Sequence, residues 1–438
     1  MPDYKKKKVH KKLSSKRKNS PYNLNKRKSD INGSNKENYD IKMSPLDNSD
    51  DLASSSRDSI KVIKGKKLER RRRFRIFLSL IATVLLVYII LSFTLPVSVG
   101  ENLGNFAATI GAGEYPAEIY GTETLDTASK KLYYYVLTDT NLSAFSSSGK
   151  DILSISHGYS KPILKTSETR ALIFDQGGNS LKIYNLKKKI TEYTPKKPII
   201  TADIARNGSY AVALYSDSYA STVNVFSKSG KLFFEWNSAK DTVNAVTLSP
   251  DARYLAVSVF GASGGNLVSK VSVFDTNNKS ADPVFSYDIS DGMVYSLTSG
   301  KKGFTVATSD GVSFITWSDF SKTEKKSDRQ LSCLRSSSQG IVAVFNLNSN
   351  KSDNIISVIS PKGESISEFK FNGLISDIRF SNGHIYCISE AKAYLYDKTG
   401  KLLCTSDCGF DAFKIAVTGS TSIAAISDSQ IQKIKFEM

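Results

Sequence analysis

The sequence predicts an all-β external domain built as a ring of four-stranded blades, tethered by one membrane-spanning helix behind a basic tail. Three observations carry that reading. A long uncharged apolar run lies near residue 90, a strand-and-turn unit recurs eight times, and four strand signals fall within each period.

The tail comes first, as residues 1–73. Residues 1–75 carry 24 Lys+Arg against 9 Asp+Glu, a net of +15, which leaves only +3 for the rest of the chain. Lys, Ser, Asn and Asp dominate it and large apolar groups are few, so it cannot offset its chain entropy by burial and is expected to be disordered. The pieces KKKKVHKK and KRKNSPYNLNKRK would suit a nucleic-acid patch or a nuclear signal in isolation. Beside a membrane helix, the simpler role is contact with anionic lipid and fixing of orientation. The external domain is close to neutral, so no nucleic-acid partner is expected.

From Ile76 to Gly100 the chain runs 25 residues without a charge. About 20 apolar residues at 1.5 Å each cross a hydrocarbon core of about 30 Å, so residues 74–97 are expected to form one transmembrane helix. Lys64, Lys66, Lys67, Arg70, Arg71, Arg72, Arg73 and Arg75 crowd its N-terminal side, and the next basic residue is Lys130. The positive-inside rule then puts the N-terminus in the cytoplasm and the C-terminal domain outside the plasma membrane. A cleaved signal peptide fits poorly, because the preceding segment is long and the apolar core exceeds an h-region. The span holds no charge to support transport or proton relay.

A linker, 98–115, carries Gly100, Gly104, Gly111 and Gly113, and the domain proper is expected at 116–438. There an alternating apolar strand, a short polar turn often closed by Gly, and a further strand recur. Copies begin at Leu142, Leu181, Val223, Val271, Val312, Ile356, Ala393 and Ile431, about 41 residues apart. Ahead of each lies a second strand signal, such as YAVALY from Tyr210; most have a third upstream and a fourth behind. Four strands per period of about 40 residues define a β-propeller blade. Eight blades are expected, or seven if the first copy belongs to the closure; an open array of β-sandwiches is the alternative. The chain ends on a third strand, so the segment Pro116–Gly121, PAEIYG, is expected to supply the missing one and close the ring, removing exposed edges.

The turn Leu248–Val257, LSPDARYLAV, resembles the SPDG turn of WD40-like and TolB-like propellers, with Ala252 where those carry Gly. By layout, residues 70–438 resemble a family of single-pass membrane proteins of low-GC Gram-positive bacteria with an external propeller of unknown function. GKLFFEW, Gly230 to Trp236, resembles the tryptophan-docking repeats of quinoprotein dehydrogenases and outer-membrane assembly propellers. Only Trp236 and Trp317 exist, so no quinone or other cofactor is expected.

Candidate chemistry is sparse. Gly261–Gly265 matches G-x-S-x-G, but a nucleophile elbow needs a strand-to-helix turn and a His base, and Ser263 falls in a hairpin. His157 and His384 are the external histidines, and no metal-ligand spacing surrounds them. Asp288 and Asp291 suit a turn. Cys333, Cys387, Cys404 and Cys408 allow three pairings, and Cys404 with Cys408 is a candidate small-loop disulfide. These features favour a binding or scaffold module for an envelope protein, peptide or glycan over the alternative, a hydrolase or lyase working from the channel on envelope carbohydrate or peptide. Coupling of a signal across the membrane through the tail is a third reading.

Overall fold

The computed structural model describes residues 72–84, 97–278, 282–289, 293–347 and 350–437. Residues 72–84 form a helix, α1, on which Arg72, Arg73 and Arg75 are exposed. Lys64, Lys66, Lys67, Arg70 and Arg71, and half of the expected span 74–97 (residues 85–96), lie outside the described residues. Among the described residues no helix is long and apolar enough to cross a membrane.

After a second helix at Val97–Thr109, the chain forms eight antiparallel four-stranded sheets in series. They occupy 124–156, 162–193, 199–238, 242–289, 296–326, 330–372, 375–407 and 414–435. The count is therefore eight: the copy at Leu142 is the third strand of a complete first blade, not part of the closure. The eighth blade has three strands of its own, β30 (Lys414–Gly419), β31 (Ser422–Ile426) and β32 (Gln430–Lys435). Its fourth is β1 (Ala117–Glu118), which pairs Ala117 with Ile431 and Glu118 with Gln430. PAEIYG thus closes the ring as expected.

Position within the blade explains composition. Second strands are buried on both sides, as in Tyr133–Thr138, where all six residues are buried, because neighbouring blades cover both faces. Fourth strands face solvent, and Lys322–Lys326 reads KTEKK. Apolar clusters form mainly between blades. At the seam Tyr134, Val136 and Phe145 of the first blade meet Ala424, Ile426 and Ile431 of the eighth, with Tyr115, Ala117 and Ile119 packed on them.

The recurrent polar turn has one geometry. Ser146, Ser227, Ser360 and Asp397 each accept, on a side-chain oxygen, the backbone N–H four residues on, at 3.0–3.2 Å. The third residue after each is Gly149, Gly230, Gly363 or Gly400, with φ between 85° and 90°. That left-handed conformation is open to glycine without a Cβ clash, which is why Gly closes the repeat. At Leu248–Val257 the corresponding left-handed residue is Ala252, φ 62°. Its N–H donates to the Ser249 carbonyl at 2.8 Å, and its methyl is buried between the third and fourth blades, so packing offsets a backbone cost of about 1–2 kcal/mol.

Ile431 is fully buried at the seam. Ile431→Ala is expected to cost about 2–5 kcal/mol in urea unfolding, whereas Lys322→Ala on an exposed fourth strand should change stability by less than about 0.5 kcal/mol. Equal losses would contradict the seam.

Candidate functional site

Within each antiparallel blade the first and third strands run one way and the second and fourth the other. First-to-second and third-to-fourth turns therefore share one face of the ring. Second-to-third turns and blade-to-blade connections share the opposite face. First strands line the axis, and their charged side chains are the natural place to look for chemistry.

Arg335 on β22 (Gln330–Ser337) and Asp377 and Arg379 on β26 (Ile375–Ser381) gather on adjacent first strands. Asp377 is 1% exposed. Its Oδ1 lies 3.2 Å from Arg335 Nε and 3.0 Å from Arg379 Nη1. Its Oδ2 accepts the Ile415 N–H of β30 at 3.0 Å. Arg379 also donates to Thr127 Oγ1 at 2.8 Å on β2 (Thr124–Ser129). One carboxylate thus joins the sixth, seventh and eighth blades, and its arginine reaches the first. Burial works against the charge on Arg335, but Asp377 beside it outweighs that and raises its pKa. At Arg379, burial dominates and lowers it. Both carboxylate oxygens are committed to blade-to-blade contacts, which is a structural role.

The residues singled out in the sequence do not converge. His157 is buried, with Nε2 3.1 Å from the Thr138 carbonyl and Nδ1 accepting the Tyr159 N–H at 3.1 Å. Burial lowers its pKa, so it packs as a neutral ring. His384 opens a second strand, Nδ1 near the Asn382 carbonyl. Ser263 ends the strand Tyr254–Ser263 and pairs with Asn266 in a hairpin with no helix after it. Asp288 lies on the strand Phe285–Ile289 rather than in a turn, and Asp291 is outside the described residues. All four cysteines are free thiols. The Cys404–Cys408 pairing is not formed, because Thr405–Asp407 is strand rather than turn. From Cys404 to Asp407 alone the extended chain advances about 10 Å, beyond the reach of a disulfide. Burial pushes the Cys408 thiol up to about 11 and raises Cys387 further still, so these are packing thiols rather than nucleophiles. Among the described residues no group of three His, Cys, Asp or Glu could hold a metal ion.

Most of the segment read as a linker is a helix, α2 (Val97–Thr109), docked on the face of first-to-second and third-to-fourth turns. Glu101 grips Arg170, whose Nε lies 3.1 and 3.0 Å from its two oxygens, and Thr169 donates to it at 2.7 Å. Buried Asn105 donates to the Thr169 carbonyl at 2.9 Å. Lys150 Nζ donates to the Ile110 carbonyl past the helix end at 2.7 Å. A Cβ on Gly113 would meet Lys150 N at 2.0 Å, so that glycine lets the chain pass against the turn of the first blade. Leu103, Phe106 and Ile110 recur at helical spacing, the signal in the sequence for this element.

The opposite face carries the four exposed tyrosines found among the described residues. Tyr120, Tyr215, Tyr219 and Tyr295 are 46–56% exposed. Tyr215 and Tyr219 flank a second-to-third turn; Tyr120 and Tyr295 lie on blade-to-blade connections. On the same face a groove is lined by Phe410, Asp411, Phe413 and Asp428, and Asp428 Oδ1 accepts the Thr124 N–H at 2.7 Å.

The model of a family of unknown function, DUF5711, matches residues 122–436, and the chain belongs to that family. No curated protein matches it. Among solved structures it is similar to BamB from Moraxella catarrhalis, at 12% identity and TM-score 0.46, covering 73% of this chain and 100% of that one. It is also similar to apo AztD from Citrobacter koseri, at 11% identity and TM-score 0.48, covering 72% and 90%. At these identities the likeness concerns the fold alone.

Two outcomes follow. Asp377→Asn leaves Arg335 and Arg379 without their buried counter-charge and is expected to cost about 3–5 kcal/mol in urea unfolding; a loss below about 1 kcal/mol would mean the cluster is solvated. At Glu101 burial works to raise the pKa, and hydrogen bonds from Arg170 and Thr169 with the Arg170 charge outweigh it, leaving the pKa lowered. A lowered carboxyl stabilises docking above the ordinary glutamate range, and that contribution is lost as pH falls through the folded-state value. Hydrogen exchange of α2 amides should therefore quicken selectively in acid, and Glu101→Gln should remove the pH dependence.

Proposed function

We propose that this family member is a membrane-anchored extracytoplasmic propeller that acts as a binding and scaffold module for an envelope protein, peptide or glycan. The observation that carries the reading is that Tyr120, Tyr215, Tyr219 and Tyr295 are all exposed on one face of the ring, distributed around it. Tyrosine offers large contact area at low entropic cost with a hydroxyl for hydrogen bonding, and it anchors binding hot spots. On the same face the groove of Phe410 and Phe413 between Asp411 and Asp428 favours a partner with apolar and basic groups. The axial charges support the same reading from the other side, because Asp377 is committed to Arg335, Arg379 and Ile415.

The anchor rests on the uncharged run Ile76–Gly100 and the basic cluster from Lys64 to Arg75, which hold the N-terminus in the cytoplasm and give the inner leaflet an anionic-lipid contact. Two measurements check the proposal. Protease added to intact cells should remove the C-terminal domain and spare an N-terminal tag; the reverse would sink the topology. A photo-activated cross-linker at Tyr295 should capture a discrete envelope partner, with yield at least about tenfold lower when Tyr215 and Tyr219 are both replaced by Ala. Capture that is indifferent to those replacements would sink the binding face.

A further inference from the structure

The ring is close to neutral as a whole, yet its two faces differ in charge. Exposed Lys131, Lys188, Lys228, Lys301, Lys362 and Lys398 all lie on first-to-second or third-to-fourth turns, the face that holds α2. Among the described residues none of the six is in an ion pair. The opposite, tyrosine-bearing face is mixed: Asp139, Asp310, Glu390, Asp411 and Asp428 lie on its turns and connections beside Lys161, Lys196 and Lys240, and Asp217 there is paired with Lys197.

Helix α2 stands on the basic face with an apolar stripe turned outward. At 3.6 residues per turn, Glu101, Asn105 and Ala108 share one side of the helix, the side that grips Arg170, Thr169 and the core between the first two blades. Leu103 and Phe106 fall on the opposite side, 55% and 52% exposed, and Ile110, just past the helix end, is 61% exposed. Leu132, on the neighbouring turn, is 39% exposed. The buried Glu101–Arg170 pair, at 14% and 5% side-chain exposure, fixes which way the stripe points. Three large apolar groups held outward by a pinned helix are costly in water. In sequence, the uncharged run that ends at Gly100 leads directly into this helix, which begins at Val97.

We infer that α2 is an interfacial foot, and that the lysine-bearing face of the ring sits on an anionic bilayer with Leu103, Phe106 and Ile110 in the headgroup–acyl boundary. A helix with an apolar stripe and a cationic surround takes this position, burying its stripe about 5–10 Å deep. The occupant is lipid because the chain leaves the foot as an apolar run and because the flanking charge is cationic. The inference rests on the anchor reading and adds an orientation to it: the tyrosine-bearing face points away from the membrane, free for a partner.

The test uses the full chain in vesicles of mixed zwitterionic and anionic lipid carrying a nitroxide quencher near the headgroup end of the acyl chain. Phe106→Trp and Tyr295→Trp each add one indole at an exposed site on opposite faces, read as the difference from the parent with Trp236 and Trp317. The added fluorescence of Phe106→Trp should fall about twofold and that of Tyr295→Trp should not change. Protein that floats with the vesicles while both indoles are equally quenched, or equally unquenched, overturns the foot and leaves the anchor standing. Protein that does not float overturns both.

Discussion

Each sheet in this protein is apolar on both faces, so a blade is stable only with a neighbour on either side, and the array is stable only if its ends meet. That requirement places the greatest demand on the seam. There the two-residue strand Ala117–Glu118 pairs with Ile431 and Gln430 and covers the edge of a three-stranded blade. Thr124, Thr127 and Ser129 add side-chain bonds across to Ser427, Ile415 and Val417 at 2.8–2.9 Å. The Asp377 cluster acts in the same region, holding the three blades before the seam and, through Arg379, the first blade after it.

Closure also gives the ring a direction. First strands all run the same way around the axis, so every turn type is assigned to one face and the two faces can evolve different compositions. Helix α2 and six exposed, unpaired lysines lie on one, and the four exposed tyrosines lie on the other. The chain reaches β1 from the face that holds α2 and leaves it for the first blade on the opposite face.

Much of the fold was legible in the sequence because its causes are local and repeated. Strand alternation is written in a few adjacent residues in each of the eight blades, the polar turn closed by Gly recurs at Ser146, Ser227, Ser360 and Asp397, and Pro116–Gly121 could be matched to the one gap, at Ile431. The linker reading missed α2, because Gly100 and Gly104 disguised a short helix stabilised by distant partners such as Arg170 and Thr169. The axial cluster was not legible either. Arg335, Asp377 and Thr127 are separated by up to 250 residues and meet only when the ring closes. The Cys404–Cys408 loop misled for a local reason: Thr-Ser-Asp resembles a turn, but its register in the fourth strand of the seventh blade, Leu402–Asp407, holds it extended.

Native-state hydrogen exchange on the intact chain, followed by fragment mass spectrometry, tests ring closure most directly. Closure predicts that amides of β31 and β32 are protected to the same degree as the second and third strands of interior blades, and that they open only with them. Exchange of 414–435 as an independent, faster unit, with the other seven blades still protected, would show an open array and contradict the account.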